Sequence, residues 1–231
     1  MAGLAQKGET RYLAVIGDVR RSREAKERAE LQKRLEAGIQ LVNRKQKNVL
    51  ASGFVITIGD EFQGLAGDPA AIMRVLVALE TALPGVPLRY GLGWGALTTE
   101  LRSRAVGMDG PCFHAAREAI TIGKKLDRWA TVAGFGAEED EILNGVLSLI
   151  GAVRAGWTST QAHTVALMRQ LPTQKKAAAE RGVAVSTVHK ALSGALYGPV
   201  TEAERAVERL VTMFAKRPAP EPPAPAGARR R

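Results

Sequence analysis

The sequence predicts an α/β chain, a ferredoxin-like, palm-type sandwich, followed by an all-α helix-turn-helix domain. Three observations predict it. Short apolar runs alternate with amphipathic helical stretches in the order β-α-β-β-α-β-α up to about residue 135. Two of the strand runs end in carboxylates, Asp18 and the adjacent pair Asp60-Glu61. Residues 173–192, TQKKAAAERGVAVSTVHKAL, read as two short helices broken at Gly182-Val183. The expected divisions are a polar leader (1–10), the palm domain (11–137), the helical domain (138–215) and a disordered Pro/Arg-rich tail (216–231).

Tyr12 to Ile16 (YLAVI) is a continuous apolar run of strand length, which predicts a central strand buried on both faces. Asp18 follows it, either as a ligand-binding carboxylate or as the cap of the next helix. Arg20, Arg21, Ser22 and Arg23 come next, a cationic cluster suited to phosphate or to a solvated helix face. A helix is expected over 24–48, with Leu31, Leu35, Ile39 and Val42 on its inner stripe. Residues 55–66, VITIGDEFQGLA, read as a hairpin with Gly59, Asp60 and Glu61 at its tip. Neighbouring acids repel, so the tip is either an exposed polar turn or a site for a divalent cation with hard oxygen ligands.

A second helix is expected over 69–83, stopped by Pro84-Gly85. In PLRYGLGWGALTTE, Leu88, Tyr90, Leu92 and Trp94 alternate with Arg89, Gly91, Gly93 and Gly95, so one strand face packs and the other admits a helix or a ligand closely. A Gly-Asp-Gly-Pro loop then opens a helix carrying Cys112, His114, Arg117 and Lys124. Cys112 is expected as a small core residue and His114 as a partly packed one. Residues 126–156 give a strand-like piece and an apolar helix that starts on acids, with a domain boundary at 134–140.

Composition narrows the function classes. No run reaches the roughly 18 apolar residues that span a bilayer, and the first residues lack a signal-peptide core, so a cytoplasmic protein without a membrane partner is expected. A single cysteine rules out an internal disulfide and a cysteine-based zinc site. The net charge of +10 is spread as +5 over 1–138, +1 over 139–215 and +4 over the tail. Such a balance suits phosphates of nucleotides or of nucleic acid alike.

The runs VIGD, IGDEFQG, RYGLGWG and DGPCFHAAREAI, within residues 12 to about 135, resemble the SatD family of bacterial proteins. The same elements look like the core of class III nucleotidyl cyclases and, more distantly, diguanylate cyclases. The resemblance implies a nucleotidyl-cyclase-like sandwich. Asp18 and Asp60 would hold Mg²⁺ or Mn²⁺ on nucleotide phosphates, with Glu61 as a further acid of the hairpin. Phosphate would meet Arg21, Ser22, Gly59, the amides just after Asp18, and Arg117. If the chain is an enzyme, Asp18, Asp60 and Arg117 would be its catalytic residues, since positioning and charge neutralisation carry phosphoryl transfer. Two positions depart. Phe113 stands where the cyclase helix has an Asn, and no Lys precedes the hairpin in Phe54 to Thr57. Both departures favour binding without cyclisation.

The 173–192 segment resembles the helix-turn-helix of sigma-like and phage-repressor regulators, with Arg181 at a usually apolar position. That resemblance implies DNA as partner. Ser186, Thr187, His189 and Lys190 would face the major groove, and Gln174 and Lys175 the phosphate backbone, while a cap role for Ser186 competes with base contact. The bland alternative is a helical hairpin used for dimerisation. A last amphipathic helix over 202–214 would support a homodimer. The leading expectation is a regulator that binds DNA and a nucleotide or related phosphate with Mg²⁺. The rivals are a metal-dependent nucleotidyl cyclase or nucleotidyltransferase, and a DNA-binding or dimerising protein with no ligand.

Overall fold

The computed structural model describes residues 10–20 and 28–217. The leader up to Glu9, the expected phosphate contacts Arg21 and Ser22, and the tail from Pro218 lie outside the described residues. Five strands, β1 (Arg11–Val19), β2 (Leu50–Ile56), β3 (Phe62–Ala66), β4 (Leu88–Ala96) and β5 (Ala130–Ala133), form one sheet in the order β2-β3-β1-β4-β5. All neighbours are antiparallel except β4 and β5, which are parallel. Helix α1 (Arg28–Lys45) links β1 to β2, and α2 (Ile72–Ala82), entered through a 3-10 turn at Pro69–Ala71, links β3 to β4. The first four strands and these two helices have the split βαβ order that the sequence predicts. β5 extends the sheet beyond β4 by way of α3 (Pro111–Lys125).

The continuous apolar run of β1 has two destinations. Leu13 and Val15 face α1 and α2 and meet Leu35, Ile39, Val42, Leu76 and Leu79. Ala14 and Ile16 face the other way, onto Cys112, Phe113, Ala116 and Ile120 of α3. A strand in the middle of two cores needs apolar side chains at every position, and the alternating pattern is lost for that reason.

On β4 the glycine face meets the backbone of α3. A Cβ on Gly91 would lie 2.4 Å from the Ala116 carbonyl oxygen, and one on Gly93 would lie 2.1 Å from both the Ala116 nitrogen and the Cys112 carbonyl oxygen. The alternation therefore records a helix crossing, and the position where a ligand was the other possibility is filled by α3. His114 departs from expectation. It is exposed on the outer side of α3, with Nε2 2.9 Å from Oδ1 of Asp109.

Cys112 is fully buried under the sheet. Burial pushes its thiol from the usual value of 9.0 up to about 11, against the lowering effect of backbone amides at Phe113 and Cys112 itself. The folded state thus holds this proton where the unfolded chain releases it. Between about pH 9 and about pH 11 the unfolding free energy is expected to fall as pH rises. Urea titrations across that window check this, and Cys112→Ala should flatten the slope.

Five further helices complete the described chain: α4 (Ala137–Ala155), α5 (Ser159–Met168), α6 (Gln174–Arg181), α7 (Val185–Gly194) and α8 (Tyr197–Ala215). Leu143, Leu147 and Ile150 of α4 and Val207, Val211 and Phe214 of α8 belong to the same core as β1, α1 and α2. The stacked rings of Trp94 and Phe135, 5.4 Å apart, and Phe214 beyond them join β4 to α8. Only α5 to α7 have a core of their own, built on Val165, Ala177, Ala178, Val188 and Leu192. Residue 138, the expected start of a separate domain, lies in the first turn of α4, whose apolar stripe packs on the sheet. Asn144 of α4 also exchanges hydrogen bonds with the Val132 amide and carbonyl, at 2.9 Å each, so α4 covers the β5 edge.

Candidate functional site

The hairpin tip and the end of β1 meet at one end of the sheet. Register places Asp18 opposite Arg89 of β4 and Gly17 opposite Phe62 of β3. Because side chains alternate along a strand, Asp18 shares the α3 side of the sheet with Ala14 and Ile16. The turn after β2 is closed by the Thr57 amide donating to the Glu61 carbonyl at 2.8 Å, with Gly59 at φ +62°. Asp60 then reaches back to β1, where its Oδ2 accepts from the Val19 amide at 3.2 Å.

Cations surround these acids. Lys124, at the end of α3, lies 2.8 Å from Oδ2 of Asp18. Arg89 is 3.9 Å from Oδ1, beyond hydrogen-bond reach, and that oxygen is buried without a donor among the described residues. The Asp18 side chain is only 10% exposed, so a partnerless anionic oxygen there is a large local cost. Glu61 pairs with Arg117 and accepts from the Thr57 hydroxyl at 3.2 Å. Arg117 and Lys124 are two turns apart on α3, so one helix supplies both cations to the tip.

Arg89, Arg20 and Asp127 complete the cluster; Arg20 belongs to the cationic run after β1, whereas Arg89 and Asp127 do not stand out in the sequence as site residues. Arg89 and Arg20 donate to the same Oδ1 of Asp127 at 2.9 and 2.6 Å. The slight burial of Asp127 would raise its pKa, but the hydrogen bond and charge of Arg20, joined by those of Arg89, outweigh it and hold the carboxyl below its usual value. A signal for Arg89 was present. It is the one charged residue in an otherwise apolar or glycine strand that is buried along its whole length.

One expected contact comes out differently. The amides just after Asp18 are engaged within the protein, Val19 with Asp60 and Arg20 with the Pro87 carbonyl at 2.8 Å. Phe113, at the cyclase Asn position, packs in the core between α3 and the sheet rather than facing the tip.

Whether the residues fit a divalent cation is answered by Asp18. Among the described residues Asp18 has a buried oxygen without a donor, and Asp60 of the neighbouring turn bonds the Val19 amide; hard carboxylate oxygens of this sort are what Mg²⁺ or Mn²⁺ takes. Among the described residues no three His, Cys, Asp or Glu side chains cluster closely enough to form an all-protein cage. Mg²⁺ is commonly held by one or two carboxylates plus phosphate oxygens, so Asp18 and Asp60 suffice in kind.

At the other end of the chain, Thr173 caps α6 by accepting from the Lys176 amide at 3.2 Å. Gly182 ends that helix in the left-handed conformation, φ +63°, which is the turn a helix pair requires. α7 starts at Val185 with Ala184 as its cap, so Ser186 makes no cap bond. Ser186, Thr187, His189 and Lys190 are all exposed, and Val188 among them is fully buried. Lys175 is exposed and Gln174 half-buried. Arg181, at the usually apolar position, donates to the buried Thr164 hydroxyl at 2.7 Å and so ties α6 to α5.

The SatD family profile matches residues 12–195. The chain belongs to the SatD family. The match runs from β1 through the end of α7, so the acidic sheet end and the α6–α7 pair both fall inside the family's span. No curated protein matches this SatD-family sequence. No helix among its described residues is long and apolar enough to cross a membrane.

Proposed function

We propose that this SatD-family protein is a cytoplasmic, homodimeric DNA-binding regulator whose palm domain binds a nucleotide or related phosphate together with Mg²⁺. The observation that carries the proposal is the α7 surface. Four polar residues able to read or grip DNA project from the first turns of a helix whose buried Val188 fixes its rotation, after a left-handed glycine turn. Ser186, Thr187, His189 and Lys190 would address base edges, and Gln174 and Lys175 the phosphate backbone.

The ligand part rests on the sheet end. Asp18 and Asp60 would hold the metal, which when bound supplies charge neutralisation of phosphate oxygens. Glu61 keeps Arg117 directed at the tip, and Arg117 and Lys124 would bind the remaining anionic oxygens. Lys124 now neutralises Asp18, and a metal-phosphate ligand would take over that task and free the ammonium for phosphate. Such an exchange at the end of α3 would link occupancy to the rest of the molecule.

Fluorescence anisotropy with genomic DNA fragments, alongside calorimetry against a nucleotide panel with Mg²⁺, tests both parts. Lys175→Ala is expected to weaken DNA binding about tenfold and to lower its salt dependence. Asp60→Ala is expected to abolish heat of nucleotide binding while leaving DNA affinity in place. Absence of DNA binding in the parent protein would overturn the first part, and equal nucleotide heats in Asp60→Ala the second.

A second reading, a metal-dependent nucleotidyl cyclase or nucleotidyltransferase, draws on the same Asp18 oxygen without a donor. Against it stands Phe113, which offers no hydrogen bond and lies in the core. Incubation with nucleoside triphosphates and Mn²⁺ separates the two: pyrophosphate release lost in Asp18→Ala would make the protein an enzyme.

A further inference from the structure

A cavity of about 650 Å³ opens on the opposite side of the sheet from Asp18, between the α2–β4 connection and α5. Its volume lies within the roughly 300–1,000 Å³ usual for small-molecule sites. Val86, Pro87 and Leu88 form one wall and Val165 and Ala166 of α5 another. Trp129 and Trp157, two of the three tryptophans in the chain, line it as well.

The charged lining is mostly positive. Arg20, Arg154 and Arg169 reach the cavity against a single lining acid, Glu80, and Arg20 is held by Asp127 at 2.6 Å from outside the lining. Both oxygens of Glu80 are engaged, Oε1 by the Trp129 indole at 2.8 Å and Oε2 by Arg154. Arg169 is held by Glu204 at 2.6 Å, and Glu204 is not part of the lining. The Arg154 guanidinium lies over Trp129, 4.3 Å from the ring centroid, and 5.5 Å from that of Trp157. Its Nη1 is 3.7 Å from Glu204 and has no hydrogen-bond partner among the described residues. Flat indole surface beside guanidinium groups suits a ligand with a planar apolar body and an anionic group.

We propose that this cavity is a binding site for a small aromatic organic anion, sharing only Arg20 with the cluster at the Asp18–Asp60 end. The occupant would touch the sheet body through Leu88 and Trp129 and also α5, the first helix of the α5–α7 unit. It would thus bridge the two cores of the molecule.

The test is a fluorescence titration of the full chain with 8-anilinonaphthalene-1-sulfonate, a flat aromatic anion, excited directly. N-phenyl-1-naphthylamine serves as its uncharged counterpart. Saturable binding at one site is expected, with the uncharged probe weaker by about tenfold or more. Ala166→Trp fills the cavity and is expected to lower probe affinity by about tenfold or more at an unchanged melting temperature. Ala162→Phe, at the exposed rim, decides the matter if Ala166→Trp disturbs folding. Asp60→Ala should leave probe binding unchanged, since it lies at the other site. Equal affinity for the two probes, full binding in the cavity-filled variant, or loss of binding in Asp60→Ala would each overturn the proposal.

Discussion

Gly93→Ala is expected to destabilise the folded state strongly, lowering the urea midpoint. A Cβ at this position would stand 2.1 Å from two backbone atoms of α3, the Ala116 nitrogen and the Cys112 carbonyl oxygen. Side chains can rotate away from an intruding methyl group, but a helix backbone can only move as a body. α3 also packs through Cys112, Ala116 and Ile120 against β1, so moving it opens the core on that face. A cost of about 3–5 kcal/mol follows from overpacking at a backbone contact. That is a large share of the roughly 5–15 kcal/mol by which a domain is stable. Urea unfolding followed by circular dichroism measures it. Gly145→Ala in α4 is the control, because its new Cβ meets nothing within 4 Å. It is expected to be neutral or to stabilise by about 0.5–1 kcal/mol through helix propensity. Similar midpoints for the two variants would refute the close-approach account. α3 carries Arg117 and Lys124, so any folded fraction of Gly93→Ala should also lose nucleotide binding.

Glu204→Ala is the second large effect. Glu204 is 8% exposed on α8, accepts from Arg169 at the end of α5 at 2.6 Å, and lies 3.7 Å from Arg154 on α4. Removing it leaves Arg169 buried without its anion and Arg154 with Glu80 alone. Breaking a buried pair in this way costs about 3–5 kcal/mol, far more than the net worth of the intact pair. The loss is directional. Glu204 connects the helices of the main core to the α5–α7 unit, so hydrogen exchange should quicken first in α5 rather than in β1. Glu204→Gln retains the shape and one acceptor and should cost less than the alanine variant. Uniform acceleration of exchange across the sheet would argue against this tethering role.

Much of this was legible in the residues. YLAVI announces a strand buried on both faces because no polar side chain interrupts it, and the structure gives it two cores. The glycines of RYGLGWG mark a close crossing because nothing larger fits. Other features were not legible because they depend on register. Arg89 joins Asp18 only because antiparallel pairing sets them opposite each other. Asp127 gathers Arg20 and Arg89 from positions far away in the chain, and no spacing rule connects the three. His114, a lone histidine in a helix, is expected to be partly packed, yet the helical turn of about 100° per residue carries it to the outside.

The sequence by itself determined the strand and helix order, the two acidic ends and the helix pair at 173–192, since periodicity, glycine and caps act over a few residues. Tertiary structure alone decided three further things. It directed the glycine face of β4 to a helix, joined α4 and α8 to the sheet core, and left a cavity between that core and α5. Each depends on which apolar stripe finds which partner. Burial is a property of two surfaces brought together, and one stretch of sequence describes only one of them.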